Sequence, residues 1–113
     1  MKTCKVNILG SEWQFDYIDV EEDKTPILGV SGYCDPTVKR IVAYKAPKDA
    51  TVRDVGVTER ATTRHEVLHA YLYESGLGEE MRGVNGHDEQ IIDWFANQAM
   101  KIYGTYRELG VLR

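Results

Sequence analysis

Thr58-Glu59-Arg60-Ala61-Thr62-Thr63-Arg64-His65-Glu66-Val67-Leu68-His69-Ala70-Tyr71-Leu72-Tyr73-Glu74-Ser75 is the stretch on which the reading turns. Ala61, His65, Leu68, His69 and Leu72 recur at steps of four, three, one and three, which puts them on one face of an α-helix. Thr58 suits the N-cap, Glu59 the first turn, and Gly76 the residue just past the end. The face carrying the two histidines is also the apolar one, so both imidazoles are expected to point inward.

Upstream of this helix the period changes from 3.6 to two. Thr3 to Leu9 carries Val6, Ile8 and Leu9, Gly10-Ser11 is a turn signal, and Glu12 to Val20 alternates Trp13, Phe15 and Tyr17 on one face, a hairpin pattern. A third apolar run, Ile27 to Tyr33, is broken by Gly29 and Gly32. Cys34-Asp35-Pro36-Thr37 then predicts a turn, Val38 to Tyr44 a further strand, and Lys45 to Val57 a connection punctuated by Pro47 and Gly56. Downstream, Leu77 to Gly86 reads as a loop. A second helix is expected from His87 or Asp88 to Tyr103, with Ile92, Phe95, Ala96, Ala99 and Tyr103 on one stripe and Gly104 as its stop. Thr105 to Arg113 is expected to be a short helix or tail. Strands over 1–44 followed by helices over 58–103, rather than alternating with them, predict an α+β domain with an antiparallel or mixed sheet.

Length and charge bound the function. At 113 residues, without repeats or a Pro/Gly/Ser-rich linker, the chain is expected to form one domain over 1–113. Lys and Arg are outnumbered 14 to 18, the formal charge is −4, and basic residues never cluster beyond Lys39-Arg40, so a nucleic-acid partner is not expected. No window approaches the roughly 20 apolar residues of a membrane span. Lys2, Lys5, Glu12 and Asp16 interrupt any apolar leader. We therefore expect no membrane partner, no signal peptide and a cytoplasmic location, with Cys4 and Cys34 as free thiols.

The chemistry lies in His65-Glu66-Val67-Leu68-His69. Two histidines at i and i+4 stand one above the other on a helix, so both can reach one metal ion. Glu66 lies about 100° further round, placed to reach a water on that metal rather than to ligate it, which suits a general base. A catalytic zinc takes three protein ligands. Glu89, twenty residues after His69 and in the first turn of the second helix, is the candidate third. Asp93, one turn further on the same face, is the candidate acceptor for a histidine ring proton. The plainer alternatives are a satisfied pair of core histidines, a carboxylate favoured by the helix dipole at Glu89, and a solvated charge at Asp93. Cys34 and His87 are rival third ligands; His87 alternatively lines the pocket or caps the second helix.

With Glu89-Gln90-Ile91-Ile92-Asp93-Trp94-Phe95-Ala96 following it, His65-Glu66-Val67-Leu68-His69 resembles the gluzincin metallopeptidases. The compact size and the strand ahead of the active helix are most similar to the small ImmA/IrrE-type zinc peptidases of phages and mobile elements. The resemblance spans roughly Tyr33 to Tyr103 and implies a minimal zincin-like fold. It implies Zn2+ on His65, His69 and Glu89, with Asp93 orienting His65 from the second helix. Within these 113 residues no second lobe is expected of the kind that carries the oxyanion-stabilising His in thermolysin-like enzymes. After Ala96 the chain reads Asn97-Gln98-Ala99-Met100, where many relatives have a Leu-Met-Pro-like ending.

On this reading the chain is expected to be a zinc metallopeptidase. The metal lowers the pKa of its water towards about 7, and Glu66 takes the proton as that water attacks a peptide carbonyl. Tyr103, Tyr106, Arg107, Tyr71 and His87 are candidates for a further oxyanion donor or pocket wall. Peptide or protein substrate is expected to dock as an added strand along Val38 to Tyr44, taken as the sheet edge. The alternatives are a non-catalytic zinc-binding regulatory or interaction module, and a deformylase-like amide hydrolase using Cys34 as third ligand.

Overall fold

The hairpin at the N-terminus starts the sheet. In the computed structural model, which describes residues 1–77 and 88–113, β1 (Cys4–Ile8) and β2 (Ser11–Ile18) pair antiparallel, with Ile8 opposite Ser11. The turn is therefore Leu9-Gly10, not Gly10-Ser11. Both residues have positive φ, 51° and 92°, as a two-residue hairpin turn demands, and the Asn7 side chain accepts from Gly10 N at 2.9 Å. That exposed Leu9 tolerates the left-handed region is why composition alone misplaces the turn by one residue.

The third strand also shifts. β3 is Gly32–Asp35, so Cys34 and Asp35 belong to a strand and the Ile27 to Ser31 stretch is loop. The turn falls at 36–39, with Lys39 at φ 53°, and β4 runs Arg40–Tyr44; Val38 is 66% exposed. The sheet order is β1-β2-β4-β3, with β2 and β4 parallel and β3 antiparallel to β4. The expected α+β class with a mixed sheet is what the chain adopts. The expected edge is corrected: β4 is paired on both sides, and the edges are β1 and β3. Ile41, Val42 and Ala43 are fully buried, which is what an interior strand requires and what their apolar run encodes.

A single helix covers one face of the sheet. α1 spans Val55–Glu74, starting three residues before the predicted Thr58, because the Asp54 side chain accepts from Val57 N and Thr58 instead donates its hydroxyl to Val55 O. Ala70 closes on Ile8, Trp13, Phe15, Ile41 and Ala43, with Val67 packed alongside. The stripe turned to the sheet is therefore not Ala61, Leu68 and Leu72, which are half-buried, but Glu59, Glu66 and Ala70. Two carboxylates bolt this stripe down. Glu59 accepts from Tyr17 Oη and Ala46 N, both at 2.7 Å, and Glu74 accepts from Trp13 Nε1 at 2.7 Å and Ser11 Oγ at 3.0 Å, with Lys39 Nζ at 3.2 Å.

The opposite sheet face is closed by the loop after β2, which opens with a 3-10 turn at Val20–Glu22. Asp23 is its anchor. It accepts from the Tyr33 and Tyr44 hydroxyls, each at 2.7 Å, from Thr25 N at 3.1 Å and from Arg40 at 3.1 Å, while Arg40 also pairs with Asp16 at 2.6 Å. Burial opposes the charge on Asp23, yet the four donors outweigh it and hold its pKa well below the ordinary carboxylate range.

α2 spans Glu89–Leu109 and packs on α1. Asp88 caps it, accepting from Gln90 N and Ile91 N, so Glu89 is fixed as the first helical residue. Gly104 does not end it. The stop is Gly110, at φ 70°, where Gly110 N donates to Arg107 O and Val111 N to Tyr106 O, the paired bonds of a Schellman motif. Glycine inside a helix costs about 1 kcal/mol but does not terminate it; a left-handed residue with both bonds made does. No helix among the described residues is long and apolar enough to cross a membrane.

Candidate metal centre

His65 and His69 lie on the flank of α1 between the sheet and α2, and their Nε2 atoms are 3.2 Å apart. Glu89 closes the group from the start of α2, with Oε2 2.5 Å from His65 Nε2 and Oε1 3.4 Å from His69 Nε2. The three donor atoms lie within 4.8 Å of one another, so His65, His69 and Glu89 form a group that can hold a metal ion.

Two of the three donor separations suit a metal. Ligand atoms about 2.0–2.1 Å from one tetrahedral zinc stand roughly 3.3–3.4 Å apart; His65–His69 at 3.2 Å and His69–Glu89 at 3.4 Å are close to this, while the 2.5 Å between His65 and Glu89 must open to admit the ion. A ring nitrogen offers one proton or one lone pair, so His65 Nε2 cannot serve both His69 and Glu89 by hydrogen bonds. One cation between them satisfies all three. His65 Nδ1 meets Asp93 Oδ1 at 2.6 Å. With Asp93 accepting the Nδ1 proton, Nε2 is the ring atom that would turn its lone pair to a cation; without one, it lies against the Glu89 carboxylate. Burial works against charge on His65, but the Asp93 bond and the nearby Glu66 and Glu89 charges prevail and raise its pKa.

Glu89, Asp93 and Asn97 form a ladder at i, i+4 and i+8 along α2. Its last rung is a hydrogen bond from Arg64 to Asn97 Oδ1 at 3.3 Å. The ladder sets the register between the helices and so delivers Glu89 to the histidines.

Glu66 differs from its neighbours on the same stripe. It is 8% exposed, and no hydrogen bond to it is found among the described residues, whereas Glu59 and Glu74 each accept at least two. Burial pushes its pKa up to about 7; His65 opposes this and the Glu89 and Asp93 charges add to it. It looks into two cavities that meet at His65 and Gly32. One, about 270 Å³, is lined by small residues, Ser31, Gly32, Ala61 and Thr62. The other, about 500 Å³, is lined by Val30, Tyr33, Cys34 and Tyr73. Gly32 is what lets β3 run this close to α1. A Cβ there would stand 2.5 Å from Val42 O and 2.7 Å from Thr62 Cγ2. A separate cavity of about 580 Å³ lies between the loop after β2 and Tyr44 to Lys48 and contains none of these groups.

Other expected residues are placed elsewhere. Tyr103 is fourteen residues beyond Glu89, about 21 Å along α2, so it cannot reach the centre, and Tyr106 and Arg107 are further still. Tyr71 is exposed and lines neither cavity at the centre. His87 lies outside the described residues. Cys34 lines the larger cavity but stands outside the donor group. Its thiol is pushed up to about 12, by burial first and then by Glu66 and Asp35, the reverse of a thiol prepared to ligate. Tyr73 is the wall residue that sequence reading passed over, although its spacing, one turn past His69 on the flank of His65, announces it.

The chain matches no family description, no curated protein and no solved structure.

Proposed function

We propose that this chain is a zinc-dependent peptidase of the gluzincin kind that its paired motifs resemble, with His65, His69 and Glu89 as ligands and Glu66 as general base. The observation that carries the proposal is the convergence of the three donors beside a buried carboxylate that has no hydrogen-bond partner among the described residues. Two imidazoles and one carboxylate are a donor set that suits zinc. When bound, it supplies Lewis acidity, acidifying a water and polarising a carbonyl oxygen.

The remaining work falls to the protein. Asp93 holds the proton on His65 Nδ1 and fixes the ring plane. Glu66 can hold a proton on its carboxylate near neutral pH and release it to a leaving amine, because burial has brought its pKa into that range. Substrate takes the edge of β3, not β4, since β3 is the outer strand that walls the cavities at Glu66. An extended peptide added there gains main-chain hydrogen bonds with little side-chain selection.

The test compares wild type with Glu66→Gln, each loaded with zinc, on a peptide library read by mass spectrometry. We expect both proteins to retain one zinc per chain by elemental analysis, with cleavage falling at least about 100-fold in the variant. Equal cleavage by Glu66→Gln refutes the mechanism. Stoichiometric zinc with no cleavage by wild type favours instead a binding module that uses the metal structurally.

A further inference from the structure

Among the described residues, α2 is held from one side only. Of its 21 residues only Ile92 and Ala96 are buried. Its other face, Ile91, Trp94, Phe95, Ile102, Tyr106 and Leu109 at helical spacing, carries five residues that are 44–68% exposed. Large side chains present about 200 Å² each, so these five leave roughly 500–600 Å² of apolar surface bare, and exposed Val111 and Leu112 just past the helix bring it to roughly 700 Å². That exceeds the largest patch on a typical monomer and approaches the ~800 Å² that each partner contributes to a stable interface.

The pattern on this face selects the occupant. The two residues that complete the stripe, Gln98 and Thr105, are polar but uncharged, so no Asp, Glu, Lys, Arg or His stands on it, although the chain carries a formal −4. An identical surface can lie against it without opposing like charges, and nothing on it calls for a charged partner. The stripe is also self-complementary when reversed. Turned about a two-fold axis level with residue 100, Ile91 meets Leu109 of the second copy, Trp94 meets Tyr106, and the one amide, Gln98, meets Ile102. In the parallel arrangement Gln98 would face its own copy at the centre of the contact.

We propose that the outer face of α2 pairs antiparallel with the same face of a second copy, making the protein an isologous dimer. The pairing does not depend on the metal reading. By sedimentation equilibrium at tens of micromolar, the full chain is expected at twice its 12.9 kDa mass, returning to the single mass on dilution. Trp94→Glu and Tyr106→Lys should each sediment as a monomer with unchanged far-ultraviolet circular dichroism, since both side chains are about half exposed in the single chain. Mixing the two variants should restore the doubled mass, because one interface then pairs Glu with Lys and keeps one Trp–Tyr contact. A wild type that stays monomeric across that range overturns the proposal. So does a Trp94→Glu variant that remains dimeric, or a mixture that fails to re-pair.

Discussion

Replacing Glu89 with alanine separates a metal centre from a mere cluster of charges. Glu89 is the one donor contributed by α2, its side chain is 67% exposed, and its helix start is fixed by Asp88 rather than by its own carboxylate. Its removal should therefore change metal-free stability by no more than about 0.5 kcal/mol. Metal binding to the native state adds RT ln(1 + [M]/Kd), about 2.7 kcal/mol when free metal is a hundredfold above Kd. For a domain of this size that raises Tm by roughly 10 °C. If losing one of three ligands weakens binding about a hundredfold, the same metal concentration leaves Glu89→Ala only about 0.4 kcal/mol, or one to two degrees. Differential scanning calorimetry with zinc, and with cobalt as a second probe, reads both numbers. The reasoning fails if variant and wild type shift equally, or if neither metal moves the wild type.

Asp93→Asn should keep the fold and weaken zinc binding about 10- to 100-fold by isothermal titration, because the amide cannot hold His65 Nδ1–H as the 2.6 Å carboxylate does. Asp23→Ala should cost about 3 kcal/mol in urea unfolding; it removes the acceptor of both the Tyr33 and Tyr44 hydroxyls and one carboxylate partner of Arg40, which keeps Asp16 and Tyr33. The same carboxylate predicts acid sensitivity. Its folded pKa lies below its unfolded value of about 3.9, so its contribution is full above that value and is lost as pH falls through the folded one. Wild-type Tm should accordingly drop below about pH 4 more steeply than that of Asp23→Ala. Gly32→Val should destabilise by about 1–3 kcal/mol and part β3 from α1, read as a lower urea midpoint, since even a Cβ would sit 2.5 Å from Val42 O.

What was legible in the sequence follows from what each signal encodes. Period-two alternation in Glu12 to Val20 and the apolar run through Ile41 to Ala43 report burial directly, so β2 and β4 could be read. Strand order could not, because pairing partners are set by contacts far apart in sequence. The apolar run says that β4 is buried on both faces, but nothing local says which strands flank it or that β3 forms the edge. Gly32 and Gly29 looked like interruptions of one strand, whereas Gly32 begins a strand that only a glycine can bring this close to Thr62. The helix stop was misread for a related reason. Gly104 and Gly110 are equivalent as letters, and only the left-handed φ and the bonds to Arg107 and Tyr106 distinguish them. The metal group was readable because His65 and His69 are bound by helix geometry, and Glu89 and Asp93 by the same geometry one helix later. Residue type alone could not place Tyr103, since a tyrosine fourteen residues beyond Glu89 on the same helix stands about 21 Å further along it.

The glutamates of α1 give the argument about function a control within the same helix. Glu59, Glu66 and Glu74 recur at steps of seven and eight, and all turn towards the sheet. An unpaired buried carboxylate is costly, and at both ends of the helix the fold meets that cost with donors from β2 and its neighbours. At the middle position no donor is found among the described residues, although one could have been supplied there as it was at Trp13 or Tyr17. Stability alone would favour glutamine or an aliphatic residue at position 66. A carboxylate there with its pKa pushed towards neutrality, lining the cavity shared with His65 and His69, is what the proposed role as a base beside a bound cation calls for. The reasoning makes a separate demand: Glu66→Leu should stabilise the metal-free fold in urea. If it destabilises the fold as much as loss of Glu59 or Glu74 does, Glu66 is a structural tie like them and its assignment as a base loses its footing.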